Sequence, residues 1–268
     1  MKYEISASVV SDVGCVREIN EDNGRYVSPG DPAILEKKGV LVIVADGMGG
    51  HSAGEVASKI AVEVITRAYY ENDDDVDKAL TDAVVEANRE IYEASLKDEN
   101  LRGMGTTCTA MVLTNGTAIS AHVGDSRLYL VRNGGIYLMT EDHSAVMEMV
   151  RRGLLSIEEA RSHPDKNVIL RALGTNPEVD ITTWDEPFPV RVGDHLLLCS
   201  DGLYDLVGDE EIKNAVLGDD SHTACERLVA LARERGGYDN ITVGIVHLKD
   251  PVAAPEEARE TREVEAVR

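Results

Sequence analysis

Aromatic residues are scarce in this sequence: Phe, Trp and Tyr make up 4% of 268 residues, with one Phe and one Trp. Its core must therefore be built from Val, Leu, Ile, Ala and Met. No apolar stretch approaches the roughly 20 residues that span a bilayer, and the first residues lack the apolar run of a signal peptide. Cysteines are few and scattered. Cys15, Cys108, Cys199 and Cys225 form no C-x-x-C pair, which argues against a zinc ribbon or a thioredoxin-like motif and fits unpaired thiols in a reducing, cytoplasmic setting. The seven histidines form no H-E-x-x-H. Basic residues are outnumbered, with 27 Lys and Arg against 49 Asp and Glu, a formal net charge of -22, and no basic run among them. Such a surface repels nucleic-acid phosphate and anionic membranes, so neither is expected as a partner.

What is present is a set of short apolar stretches. Tyr3 to Val10 alternates as a half-buried strand does, and Gly39 to Ala45 (GVLVIVA) reads as a buried strand. A helix is predicted to follow, with Ala57, Ile60, Ala61, Val64 and Ile65 on one face. A second runs from Asp75 to about Leu96. Thr107 to Leu113, Ala118 to Val123, Leu128 to Val131 and Ile136 to Met139 are separated by turn residues. Asn115-Gly116 and Asn133 to Gly135 mark hairpins, so the region reads as an antiparallel meander. Ser144 to His163 is polar and resembles a surface insertion. Strands resume at Val179 to Trp184 and Asp194 to Cys199, helices at Asp209 to Leu217 and Ser221 to Glu234, and a closing strand at Ile241 to Leu248. The charged, Ala-rich stretch from Pro251 to Arg268 has no apolar face and is expected to be disordered. Without a regular strand-helix-strand rhythm, the expectation is an α+β sandwich, antiparallel sheets inside and helices outside.

Five acidic, turn-like segments punctuate this pattern: Asn20 to Asn23, Asp46 to Gly50, Gly124 to Arg127, Cys199 to Gly202 with Asp205 four positions on, and Gly237 to Asn240. Asp beside Gly or Asn is also what ordinary turns are made of. A dinucleotide loop at Asp46 fails on detail, because G-x-G-x-x-G would need glycine at Ser52 and Asp46 would face the pyrophosphate. Most of these segments abut apolar strands, whose ends converge on one rim of a sheet sandwich. Carboxylates gathered there stay ionised together only if cations neutralise them. Oxygen donors without thiolate or clustered imidazole suit Mg²⁺ or Mn²⁺. Two such ions about 4 Å apart can hold and acidify a water for in-line attack on phosphorus.

The chain resembles the metal-dependent serine/threonine phosphatases of the protein phosphatase 2C type in their bacterial form. The matching segments are S-D-V-G-C-V-R-E-I-N-E-D-N (Ser11 to Asn23), V-A-D-G-M-G-G-H (Val44 to His51) and G-M-G-T-T-C-T-A (Gly103 to Ala110). They continue with V-G-D-S-R (Val123 to Arg127), T-E-D-H-S (Thr140 to Ser144) and R-A-L-G (Arg171 to Gly174). C-S-D-G-L-Y-D (Cys199 to Asp205) and Y-D-N-I-T (Tyr238 to Thr242) complete the series in the family's order.

The resemblance implies an α-β-β-α sandwich, two antiparallel sheets flanked by helix pairs, forming one phosphatase domain over residues 1–250 with a flap at about 145–167. It implies hydrolysis of phosphoserine and phosphothreonine by a metal-bridging hydroxide. It also implies that Asp46 bridges two Mn²⁺ or Mg²⁺ ions with the Gly47 carbonyl as a further ligand. Asp201 and Asp239 would hold one ion, and Glu21 and Asp22 the other, directly or through water. Asp125, Asp201 and Asp205 would form a weaker third metal site. Arg17 would bind the substrate phosphate through paired guanidinium donors. Position 48 is Met where animal members carry a histidine proposed as general acid, so His51 is the candidate proton donor, with a packing role or a metal-bound water as alternatives. Expected partners are phosphorylated proteins, among them Ser/Thr kinases and their substrates, met by a monomer. The alternative is a phosphoprotein-binding or partner-switching module with little turnover.

Overall fold

The computed structural model describes residues 3–49 and 53–251. Strands β1 (Glu4–Asp12) and β2 (Asp22–Val27) lead through helix α1 (Pro32–Lys38) to β3 (Val40–Met48), and long helices α2 (Ala53–Glu71) and α3 (Val76–Lys97) follow. After a 3-10 turn (Glu99–Leu101) come β4 (Gly105–Thr106), β5 (Cys108–Thr114), β6 (Thr117–Val123), β7 (Arg127–Arg132) and β8 (Gly135–Leu138). Two short helices, α4 (Ala145–Arg151) and α5 (Ile157–Arg161), precede β9 (Thr182–Thr183), β10 (Phe188–Pro189) and β11 (His195–Cys199). The one-turn helix α6 (Asp201–Tyr204), helices α7 (Asp209–Gly218) and α8 (Ser221–Glu234), and β12 (Ile241–Lys249) complete the chain.

The strands form two antiparallel sheets. One has the order β1-β12-β11-β7-β8; the other has β10-β6-β5-β3-β2, with β4 joined to β3 and β9 to β6. Side chains alternate across a strand, so a strand covered on both faces is apolar throughout. In β3, Leu41, Ile43 and Ala45 pack against α2 and α3, while Val40, Val42 and Val44 face the other sheet. In β11, Leu197 and Cys199 join a cluster with α7 and α8, while Leu196 and Leu198 point to the middle. Three apolar layers thus glue four layers of structure together, the α-β-β-α sandwich the resemblance implies.

Both Asn-Gly hairpins form as predicted, with Asn115 and Gly116 at φ 49° and 86° and Asn133 and Gly134 at 53° and 76°, the left-handed pairs of a tight turn. The meander does not hold as one unit. β5 and β6 pair in one sheet and β7 and β8 in the other, because the chain crosses between sheets at residues 124–126. Hairpin signals report neighbours along the chain and carry nothing about which sheet each hairpin joins. The strand expected from Val179 to Trp184 reduces to Thr182–Thr183, which pairs with Ala121 and His122. β2 went unread because its start looks like a turn and it contains Gly24. A Cβ there would meet Val9 Cγ1 at 2.8 Å and Thr242 Cγ2 at 2.9 Å, so only glycine fits beneath the opposite sheet. No helix among the described residues is long and apolar enough to cross a membrane.

Candidate active site

The acidic segments meet at the end of the sandwich where β3 and β11 finish and β2 and β12 begin. Register in the β2–β3 pair sets Asp22 opposite Asp46. Ser200, at the end of β11, donates its hydroxyl to Asp22 Oδ2 (2.7 Å) and accepts the Thr242 N–H (2.9 Å), which stitches β2, β11 and β12 together. Asp201 opens α6 directly after it. Asp125 lies in the crossing between sheets, and Tyr204 of α6 donates its hydroxyl to the Asp125 carbonyl (3.1 Å). From the loop before β12, Asp239 accepts a 2.8 Å hydrogen bond from Arg17 Nη2. Residues more than 200 positions apart thus line one pocket.

The electrostatics follow from that crowding. Asp46 and Asp201 keep part of their surface open to the pocket. Burial, then the charges of Asp22, Asp201, Asp125 and Asp239, push the Asp46 carboxyl well above the usual carboxylate range. Asp201 is raised in the same direction by burial and then by Asp125, Asp239 and Asp205. Asp22 is raised to about 6, mainly by burial, against the hydrogen bonds from Ser200 and Thr242. Burial first and Asp142 second lift Asp125 to about 7. Acids packed this closely repel one another and resist ionisation unless a counter-charge arrives.

A hard divalent cation fits that requirement. Of five buried side-chain nitrogen or oxygen atoms with no hydrogen-bond partner among the described residues, three are Asp22 Oδ1, Asp125 Oδ1 and Asp201 Oδ1. An orphaned buried carboxylate oxygen is costly, and coordination relieves it. Among the described residues no group of three or more acidic, histidine or cysteine side chains is set so that it could hold an ion by itself. A cation of the Mg²⁺ type keeps several waters and is bound through one or two carboxylates rather than an all-protein cage.

The other predicted residues are placed less uniformly. Arg17 is exposed in the loop between β1 and β2, and Glu21 Oε2 lies 3.9 Å from it. Burial would lower the Arg17 pKa, but the Asp239 hydrogen bond and the charges of Asp239, Glu21 and Asp46 outweigh this and raise it. Glu21 Oε1 accepts the Gly54 N–H (3.2 Å) at the start of α2, and the Glu21 carbonyl accepts the Gly47 N–H (3.1 Å). A Cβ on Gly47 would lie 2.2 Å from the Gly54 carbonyl oxygen, so this strand end and helix start can approach only as glycines. Asp205, the residue directly after α6, is engaged by Lys166 of the segment after α5 rather than left free. His51 lies outside the described residues.

Four positions were not singled out from the sequence. Thr106 and Thr107, both fully buried, clasp the Asp46 peptide, and Thr107 Oγ1 lies 2.8 Å from Ser126 Oγ. Buried Asn240 accepts the Glu21 N–H (2.8 Å) and donates to the carbonyls of Val13 and Ile19 (3.0 Å each), fixing the loop that carries Arg17. All four lie inside the quoted segments, but their neighbours there are Gly, Asp, Arg or each other as often as apolar residues, so nothing local marks them as buried hydrogen-bonding groups.

A family model described as protein phosphatase 2C matches residues 31–236. The serine/threonine phosphatase stp of Listeria monocytogenes serotype 4b is 40% identical over 246 residues, 88% of this chain and 93% of that protein. The crystal structure of the Mycobacterium tuberculosis serine/threonine phosphatase PstP/Ppp superposes with a TM-score of 0.81 at 37% identity, covering 91% of this chain and 99% of that one. A catalytic domain of the phosphatase PstP, solved in complex with two manganese ions, superposes with a TM-score of 0.79 at 35% identity, covering 92% and 99%.

Proposed function

This chain belongs to the protein phosphatase 2C family of metal-dependent serine/threonine phosphatases, and on that premise we propose that the acidic pocket around Asp46 is its catalytic site. It acts on phosphorylated proteins. The observation that carries the site assignment is the set of unpartnered, buried oxygens of Asp22, Asp125 and Asp201 gathered around Asp46.

In this reading Asp46 would be the ligand shared by two cations, with the Gly47 carbonyl as a further donor. Asp201 and Asp239 serve one ion, and Asp22 and Glu21 the other, Glu21 through water. Asp125, Asp201 and Asp205 form a weaker third site, for which Lys166 competes as the present partner of Asp205. When bound, the cations supply charge neutralisation and an acidified water. Manganese is supported by the two ions of the related PstP structure, and oxygen ligands suit Mg²⁺ as well.

Arg17 is assigned to the substrate phosphate. Asp239 and Glu21 hold its guanidinium beside the acidic cluster, where it would offer paired donors in otherwise anionic surroundings. His51 is assigned to proton delivery, with a water as the alternative. Residues 1–250 form the phosphatase domain, and 145–167, the α4–α5 segment, its flap; the charged tail expected to be disordered, 251–268, lies outside the described residues apart from Pro251. The four cysteines, none disulfide-bonded, support a cytoplasmic protein. Its expected substrates include Ser/Thr kinases and their targets, met by a monomer.

The test is phosphate release from a phosphothreonine peptide with Mn²⁺. Asp201→Asn should lower kcat/KM by roughly a hundredfold or more, the range for loss of one preorganised electrostatic group, and excess chelator should abolish turnover. Undiminished activity in either case removes the assignment. Peptide binding without phosphate release would replace catalysis with the binding-module reading.

A further inference from the structure

A cavity of about 420 Å³ lies between the flap helices and the α6–α7 segment. Val146 and Met147 of α4 and Ala160 of α5 form one wall, and Leu206 and Val207, just after α6, form the other. Val146, Ala160 and Val207 are buried, whereas Ile157 at the mouth is 55% exposed. Pockets that hold small ligands begin at about 300 Å³, so a large side chain fits.

The charges on the lining say what kind of side chain. Seven charged groups line the cavity, and six are paired with one another. Arg127 holds Asp142 through both carboxylate oxygens, with Nη2–Oδ2 at 2.7 Å, Lys166 engages Asp205, and Arg161 lies 3.7 Å from Asp209. Of the seven, only Glu141, itself exposed, has no ionic partner among the described residues. An anionic ligand would therefore have to break an existing pair and a cationic one would meet only exposed Glu141, while an uncharged aliphatic one buries the remaining apolar wall at no such cost.

Position supplies the occupant. The Asp205 N–H donates to the Asp201 carbonyl (3.0 Å), so the cavity edge is one helical turn, about 5.4 Å, from the acidic pocket. An extended peptide advances about 3.3 Å per residue. A phosphoresidue at the pocket thus brings a side chain two to four positions away over the cavity. We infer that this cavity is a specificity subsite, taking a bulky aliphatic side chain of the phosphoprotein two to four residues from the phosphoserine or phosphothreonine. The inference rests on the catalytic reading of the pocket above.

The experiment measures kcat/KM of the full chain with Mn²⁺ on a phosphothreonine peptide set in which each flanking position is Ala, Leu or Asp, with p-nitrophenyl phosphate as the substrate that lacks flanking residues. Leu should exceed Ala and Asp at one position two to four residues away, by roughly ten- to hundredfold, the size that burying a Leu side chain gives. Ala160→Phe, which fills the cavity, should flatten that preference and leave p-nitrophenyl phosphate turnover within twofold. Ile157→Glu, a change at an exposed rim position that spares the core, should weaken it several-fold in the same direction. A flat wild-type profile, or a Leu preference untouched by both variants, overturns the subsite while catalysis stands. No turnover of any phosphorylated substrate overturns the catalytic reading instead. If Ile157→Glu alters the sedimentation of the free protein, the face joins two copies and the subsite assignment falls.

Discussion

The peptide of Asp46 is gripped by one dipeptide. Thr107 N–H and Thr106 Oγ1 donate to its carbonyl (2.8 and 2.9 Å), and its own N–H donates to Thr107 Oγ1 (2.9 Å). These bonds leave the Asp46 carboxylate free and fix the direction in which it leaves the strand. Thr107→Val removes the acceptor while keeping the shape, so a buried N–H is left without a partner at a cost of about 1–3 kcal/mol. For a chain of this size that lowers the melting temperature by roughly 2–12 °C. Misplacement of the carboxylate should also cut kcat by about tenfold or more, since displacements near 1 Å can cost a hundredfold. Thr107→Ser keeps the hydroxyl and should retain most activity. Equal loss in Ser and Val would mean that packing, not the hydrogen bond, sets the position.

Among elements, α6 carries more of the site than its length suggests. Its four residues bring Asp201 to the pocket, Tyr204 to the Asp125 carbonyl, and Asp205 to the segment after α5. Arg127 stacks on the Tyr204 ring at 3.7 Å while holding Asp142, so α6 is also braced against the chain that leads into α4. The turn sits hard against β12, where a Cβ on Gly202 would fall 2.0 Å from the Asn240 carbonyl oxygen. Gly202→Ala should therefore push α6 away from the loop bearing Asp239. Overpacking of this kind costs about 1–3 kcal/mol, and the displacement should weaken Mn²⁺ binding measured by calorimetry. Unchanged Mn²⁺ affinity together with unchanged thermal stability would show that the turn shifts freely.

For the whole molecule the acid cluster is a liability that a cation relieves. Asp22 at about 6 and Asp125 at about 7 lie above the ordinary carboxylate value of about 3.9, so the folded state holds protons the unfolded state releases. That stabilisation is complete below about pH 4 and is lost as pH rises through 6 and 7. Buried His122 and half-buried His143, lowered to about 4 first by loss of solvent, act oppositely: their contribution is present above about 6.5 and lost toward pH 4. The histidine contribution is common to metal-loaded and metal-free protein and cancels in their difference. The gap in melting temperature between Mn²⁺-loaded and chelated protein should therefore widen from pH 5.5 to pH 7.5. At a hundredfold excess over Kd, binding contributes about 2.7 kcal/mol, or roughly 5–10 °C. A gap that is absent, or that narrows with pH, would contradict cation binding by these acids. With a net charge of -22, the chain offers a phosphoprotein little long-range attraction.

Alternation and helical spacing in the sequence determined the element types, since burial on one or both faces must be written in the order of apolar residues: α3 begins after Asp75 and β12 spans Ile241–Lys249, close to where the spacing set them. The acidic segments were likewise legible, because a carboxylate beside glycine at a strand end stands out from an apolar run. Tertiary structure alone decided which sheet each hairpin joined, that Asp22 starts a strand opposite Asp46, that Asp205 meets Lys166, and that a cavity opens beside α4 and α5. Each of these depends on contacts between segments far apart in the chain, and local spacing responds only to whether a face is buried, never to what buries it.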